Sequence, residues 1–240
     1  MAAHFVTFGS DDYSTQVERI VSQAKNTGWF ASVRGMYTGD LSHEFLQKHS
    51  HMMGGRGYGF WIWKPQVILQ ALSNLAENDV LVYADSGCSI NKRGISRFNE
   101  YIQYANHPSG VVCFQMPIYP EFHWTKEEVF AEMGREHYSS PQICATYIII
   151  RKCDASLKIL QEWSRLTQRY DLINDTQMLP RNLGFRDHRH DQSIWSILNK
   201  KNKTHIIVGD EGFPPGQNDK PIWATRIRSN ETSPYTANLL

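Results

Sequence analysis

Short apolar runs alternate along this chain with stretches in which apolar residues recur every three or four positions, and that alternation predicts its elements. His4-Phe5-Val6-Thr7-Phe8-Gly9 is a β-rich run closed by the polar turn Gly9-Ser10-Asp11-Asp12. Val17, Ile20, Val21 and Ala24 then fall on one face of a helix. A second strand is expected around Phe30 to Val33, followed by polar, glycine-containing sequence up to Arg56. Lys64-Pro65 opens a helix through Val67, Ile68, Leu69, Ala71, Leu72 and Leu75, with proline in the first turn where its missing N–H costs least. Asp79-Val80-Leu81-Val82-Tyr83-Ala84 reads as a central strand buried on both faces, ending abruptly at Asp85. Helices are expected at Ile95 to Tyr104, Ala155 to Arg169 and Gln192 to Lys200, and strands at Val111 to Met116, Cys144 to Ile150 and His205 to Val208. Strands alternating with helices predict a single α/β domain over residues 1–240, with a mixed, mostly parallel central sheet and helices on both faces. Its core spans about residues 4–208, and 209–240 form a loop or docked extension.

Composition narrows the partners. The 240 residues are 41% hydrophobic, enough for one core, and 25 basic against 24 acidic side chains leave a net charge of +1. Such a balance offers no global attraction to nucleic acid or an anionic membrane. No apolar run reaches the length of a membrane span, and Met1-Ala2-Ala3-His4 lacks the features of a signal peptide. Cys88, Cys113, Cys144 and Cys153 form no C-x-x-C pair, and three of them lie in or beside apolar runs, which predicts reduced thiols and a cytoplasmic protein.

Three polar segments then stand out. Asp85-Ser86-Gly87-Cys88 directly follows the buried strand, where open α/β sheets bind ligands. Asp85 there can offer oxygens to Mg²⁺ or Mn²⁺, although Asp85 and Ser86 could equally form no more than an Asx-type turn. Arg56-Gly57-Tyr58-Gly59-Phe60-Trp61-Ile62-Trp63-Lys64-Pro65 holds four aromatics and two cations in ten positions. Its aromatics can cover a sugar or base, and Arg56 and Lys64 can neutralise phosphate, while Trp61 and Trp63 taken alone fit a core role better. Asp187-His188-Arg189-His190-Asp191-Gln192-Ser193 can supply a general base or metal ligand, or Asp191 can simply cap the helix it precedes. The phosphate-binding, dinucleotide-binding and hydrolase-elbow signatures are all absent from the sequence.

In order and spacing these segments resemble GT-A glycosyltransferases, in particular small viral and bacterial enzymes that build surface polysaccharides, including the first domain of multidomain chlorovirus glycosyltransferases. The resemblance implies a Rossmann-like domain that moves a sugar from a nucleoside-diphosphate donor, UDP preferred, to a glycan hydroxyl. It implies a donor site formed by Thr7, Phe8 and Gly9 with Arg56, Tyr58, Lys64, Asp85, Ser86 and Gly87, and a divalent cation, Mn²⁺ or Mg²⁺, on Asp85. Gly87 stands where the family's second aspartate would be, so the cation would rest on Asp85 almost alone. Asp191 is implied as the base of an inverting enzyme, with Gln142, Thr146 and His190 near the sugar or acceptor. The chain could also be one domain of a longer transferase. The alternatives are a retaining transferase, a non-catalytic carbohydrate-binding protein of the same fold, and a metal-dependent hydrolase or nucleotidyltransferase using Asp85 and Asp191.

Overall fold

The computed structural model describes residues 1–181 and 183–228, so the end of the expected extension, 229–240, lies outside the described residues. The chain begins with β1 (Ala3–Phe8), α1 (Ser14–Thr27) and β2 (Ser32–Met36). Three helices follow: α2 (His43–His49), the single turn α3 (Gly57–Phe60) and α4 (Trp63–Ser73). Next come β3 (Val80–Ala84), the short β4 (Ser89–Ile90), α5 (Ile95–Tyr104) and β5 (Val111–Pro120). After α6 (Glu121–Trp124) and α7 (Glu127–Met133) the chain returns through β6 (Pro141–Ile143) and β7 (Tyr147–Arg151). It finishes with α8 (Asp154–Thr167), α9 (Tyr170–Ile173), α10 (Asp191–Lys201), β8 (His205–Ile207) and β9 (Ile222–Trp223).

Seven strands form the main sheet in the order β2-β1-β3-β7-β5-β6, with β8 also on β5. β1 pairs in parallel with β2 and β3, and β8 pairs in parallel with β5. β7 runs antiparallel to both β3 and β5, and β6 antiparallel to β5. Five strands therefore share one direction and two oppose it, the mixed, mostly parallel sheet expected. The alternation of β3 explains its central place. Val80, Val82 and Ala84 enter one core with α1 and α5, while Leu81 and Tyr83 enter the other with α4, α8 and α10.

The strand expected at 144–150 is interrupted. Moving three residues along β5, from Val112 to Gln115, spans six along its partner, from Ile149 to Ile143. Residues 144–146 are the extra three, a bulge relative to β5, with Thr146 still in register with Asp85 after β3. Two of their carbonyls are used: Lys64 Nζ donates to Ala145 O at 3.1 Å and Asp85 N to Thr146 O at 2.8 Å. An apolar run that contains such a bulge reads in sequence as one continuous strand.

The extension is docked as far as it is described. Its β9 pairs antiparallel with β4, and Asn91 N donates to Pro221 O at 2.8 Å. Glu211 meets Arg97 and Tyr101 of α5, and Gly212 N donates to the Tyr147 hydroxyl at 2.8 Å. The segment 209–228 thus belongs to the domain rather than trailing from it.

Candidate active site

A cleft of about 660 Å³ opens at the carboxyl ends of β1 and β3, within the usual volume range of small-ligand sites. Its floor is an ion triad. Lys64, in the first turn of α4 and only 3% exposed, lies 3.1 Å from Asp85 Oδ1 and 3.0 Å from Asp191 Oδ2. The ammonium also donates a hydrogen bond to Ala145 O at 3.1 Å, while its two carboxylate contacts are ion pairs. Burial by itself would lower the Lys64 pKa, but Asp191 and Asp85 outweigh it and hold the ammonium above the ordinary lysine range. The triad therefore holds one permanently charged ammonium between two carboxylates. Lys64, expected to face a phosphate, lines the cleft with its ammonium paired to these two carboxylates.

Asp85 follows β3, and its Oδ1 also accepts the buried Tyr83 hydroxyl at 2.6 Å. Asp191 is the first residue of α10 and is 4% exposed. Burial raises its carboxyl pKa to about 6, against the lowering pull of Lys64. The backbone before it is strained, since His190 has φ 47° and ψ −117°, a region sparsely open to L residues. Packing determines that strain. Trp163 Nε1 donates to Asp191 O at 3.0 Å, and His190 Nδ1 lies 2.6 Å from Ile173 O. Behind α10, fully buried Glu121 pairs with Lys200 at 2.7 Å and accepts from Thr125, Ser196 and Gln142.

The two histidines answer the ligand question raised by the sequence. His188 donates from Nε2 to Leu172 O at 2.9 Å, and its Nδ1 accepts from Lys126 N. Both ring nitrogens serve the backbone, and burial pushes its pKa well down, so it is a neutral core histidine. His190 faces the cleft with its ring against Phe60 and Trp61 at centroid distances of 5.2 and 5.4 Å.

Gly57, Tyr58, Gly59, Phe60 and Trp61 all have positive φ, from 50° to 88°, and make a left-handed turn. Each non-glycine residue there costs about 1–2 kcal/mol. The turn is held by Gly59 N to Gly54 O at 2.9 Å, Phe60 N to Arg56 O at 2.8 Å and Trp63 Nε1 to Gly57 O at 3.0 Å. It presents Tyr58 and Trp61 to the cleft. A Cβ at Gly59, φ 88°, would lie 2.7 Å from Met52 O. Gly59→Ala should therefore lose at least about 1 kcal/mol in urea unfolding; an unchanged midpoint would show that the turn does not need glycine.

The remaining expected residues divide. Phe8, Gly9, Arg56, Tyr58, Asp85, Ser86, Gly87, Gln142, Thr146, His190 and Asp191 line the cleft. Thr7 does not; it is fully buried within β1. Gln142 is also fully buried, and its amide brackets Glu121, Thr125 and Ser193. The Arg56 guanidinium is spread between Asp187 at 2.7 Å and Asp175 at 3.0 Å. Sequence reasoning missed Tyr13, Arg189, Arg226 and Arg228, all at the cleft wall. The signal available was Arg226-Ile227-Arg228, a polar-apolar-polar alternation in a tail read as loop.

No protein-family model and no curated protein matches the sequence. Among solved structures, the chain superposes on a glycosyltransferase involved in glycosylation of the major capsid of PBCV-1, with a TM-score of 0.52 at 11% identity, covering 97% of this chain and 96% of that one. The fold is that of a GT-A glycosyltransferase. Mouse xyloside xylosyltransferase 1 aligns over 88% of this chain and 86% of its own at 10% identity, TM-score 0.48. The bifunctional glycosyltransferase WbbM aligns over 82% of this chain and 37% of its own at 9% identity, TM-score 0.47. At these identities the likeness is one of fold, and the cleft at the strand ends is where such a glycosyltransferase fold places ligands. No helix among the described residues is long and apolar enough to cross a membrane.

Proposed function

We propose that this protein transfers a glycosyl group from a nucleoside-diphosphate sugar to a hydroxyl acceptor, with inversion at the anomeric carbon and Asp191 as general base. The observation that carries this reading is the buried Asp191 carboxyl on the cleft floor, with its pKa raised to about 6. A base is most effective when its pKa lies near the working pH. At pH 7 Asp191 is mostly ionised and can still take a proton. The acceptor oxygen attacks the anomeric carbon as the bond from that carbon to the diphosphate oxygen breaks. The bonding pair leaves with the diphosphate, and the hydroxyl proton passes to Asp191. Lys64 holds Asp191 in place, and the strained His190 peptide aims it.

The donor is expected to lie with its nucleoside against Phe8, Gly9 and Tyr13 after β1, and its sugar towards Asp191. A Cβ at Gly9 would meet Val17 Cγ2 at 2.7 Å and Tyr13 Cβ at 2.8 Å, so glycine is what lets this turn close beneath a ligand. Tyr58 and Trp61 offer flat apolar faces for a sugar ring. Two measurements test the reading. A nucleotide-sugar panel should contain one donor that raises the melting temperature in proportion to the logarithm of its concentration above Kd. NMR of the transfer product should show the anomeric configuration opposite to the donor's; retention would remove Asp191 from the role of base.

A further inference from the structure

The fold family implies a divalent cation at Asp85, and the residues present do not fit one. Oδ1 of Asp85 is already shared by the Tyr83 hydroxyl and the Lys64 ammonium, which leaves a single carboxylate oxygen to offer a cation. Gly87, where a second carboxylate would stand, lies tightly against the backbone of Ile227. A Cβ built on it lies 3.1 Å from Ile227 O and 3.4 Å from Ile227 N. Among the described residues, no three His, Cys, Asp or Glu side chains come together in a way that could hold a metal ion.

What crowds Gly87 also brings positive charge. Ile227 N and the Thr225 hydroxyl both donate to Gly87 O, at 3.0 and 2.7 Å, and Gln16 Nε2 donates to Arg228 O at 2.9 Å. Gln16 is 3% exposed, so the tail is anchored to α1 as well as to the turn after β3. The two residues between and after these anchors, Arg226 and Arg228, are exposed and line the cleft beside Asp85-Ser86-Gly87. Guanidinium groups are always charged and bind phosphate oxygens in pairs, which suits a diphosphate whose charge grows as it leaves.

Resting on the glycosyl-transfer reading above, we propose that Arg226 and Arg228 neutralise the donor diphosphate in place of a divalent cation, so that binding and transfer are metal-independent. The two arginines supply two positive charges to the leaving group, and the backbone of Ile227 crowds the space a metal-binding side chain would need.

Calorimetry on the full chain with two probes, inorganic pyrophosphate and UDP, each in EDTA and in Mn²⁺, tests this. Both probes should bind in EDTA with affinities within about threefold of those in Mn²⁺. Arg226→Ala and Arg228→Ala should each weaken pyrophosphate binding about tenfold or more, and the double variant further, with the fold kept intact by circular dichroism. Arg226→Lys should recover part of the loss, since it keeps the charge without the fork. Binding that appears only with Mn²⁺, arginine variants that bind like the parent, or no binding of either probe would overturn the proposal. UDP binding no tighter than pyrophosphate would instead count against the nucleotide-sugar reading, while an arginine-dependent pyrophosphate signal in EDTA upholds the clamp.

Discussion

Asp191→Asn is expected to lower the transfer rate by about 10²–10⁴-fold while leaving donor affinity within a few fold. The amide keeps the shape of the carboxylate but cannot accept the acceptor's proton. The geometry makes this substitution informative, because Asp191 is nearly sealed from solvent yet lines the cleft. Transfer by the unsubstituted protein should also fall as pH drops through about 6, the value to which burial raises this carboxyl, by close to tenfold per unit below it. The Asn variant's residual rate should lack that acid limb. Initial rates between pH 5 and 8, with thermal unfolding measured alongside, check both statements. An Asn variant that transfers at the parental rate removes Asp191 from the chemistry.

Lys64→Met should have the largest effect on stability, a loss of about 3–5 kcal/mol, the usual scale for removing one partner of a buried ion pair. The change leaves the Asp85 and Asp191 carboxylates facing one another without the ammonium 3.1 and 3.0 Å away. The sign of its pH dependence follows from the direction of the Asp191 shift. A carboxyl whose folded pKa lies above its unfolded value carries no penalty while protonated in both states, and a growing one as pH rises through the folded value. Without Lys64 that folded value climbs further, so the deficit should be greater at pH 8 than at pH 5 in urea unfolding. An equal deficit at both would mean that the lost stability comes from the packing of the lysine stem. Any remaining activity should show its acid limb displaced to higher pH.

The regular part of this fold was legible because its periodicities are clean. α5 begins and ends at the residues expected, Ile95 and Tyr104, and β3 is the buried central strand that Val80 to Ala84 predict. The polar segments after β1 and β3 and before α10 do converge on one cleft. What the sequence hid was non-local. Nothing in the apolar run from Cys144 shows that residues 144–146 bulge to offer carbonyls to Lys64 and Asp85, since a bulge is decided by register with β5. Nor does the position of Lys64 at a helix start reveal that its ammonium turns inward, because that depends on two carboxylates 21 and 127 residues away. α2 and α7 are too short to stand out by pattern, and the docking of 209–228 rests on hydrogen bonds that composition cannot show.

The close approach of Ile227 to Gly87 also constrains how this site could have diverged. A second aspartate at position 87 would crowd the backbone of Ile227, 3.1 Å from its Cβ, so a segment held to that same residue by two hydrogen bonds would have to shift to admit it. The tail cannot be released first without giving up Arg226 and Arg228 at the cleft. Positions 87 and 225–228 are therefore bound to change together, and intermediates that alter only one of them would have neither a second carboxylate nor a seated pair of arginines. Within relatives of this chain, glycine at 87 and a basic, anchored tail should be inherited as a unit.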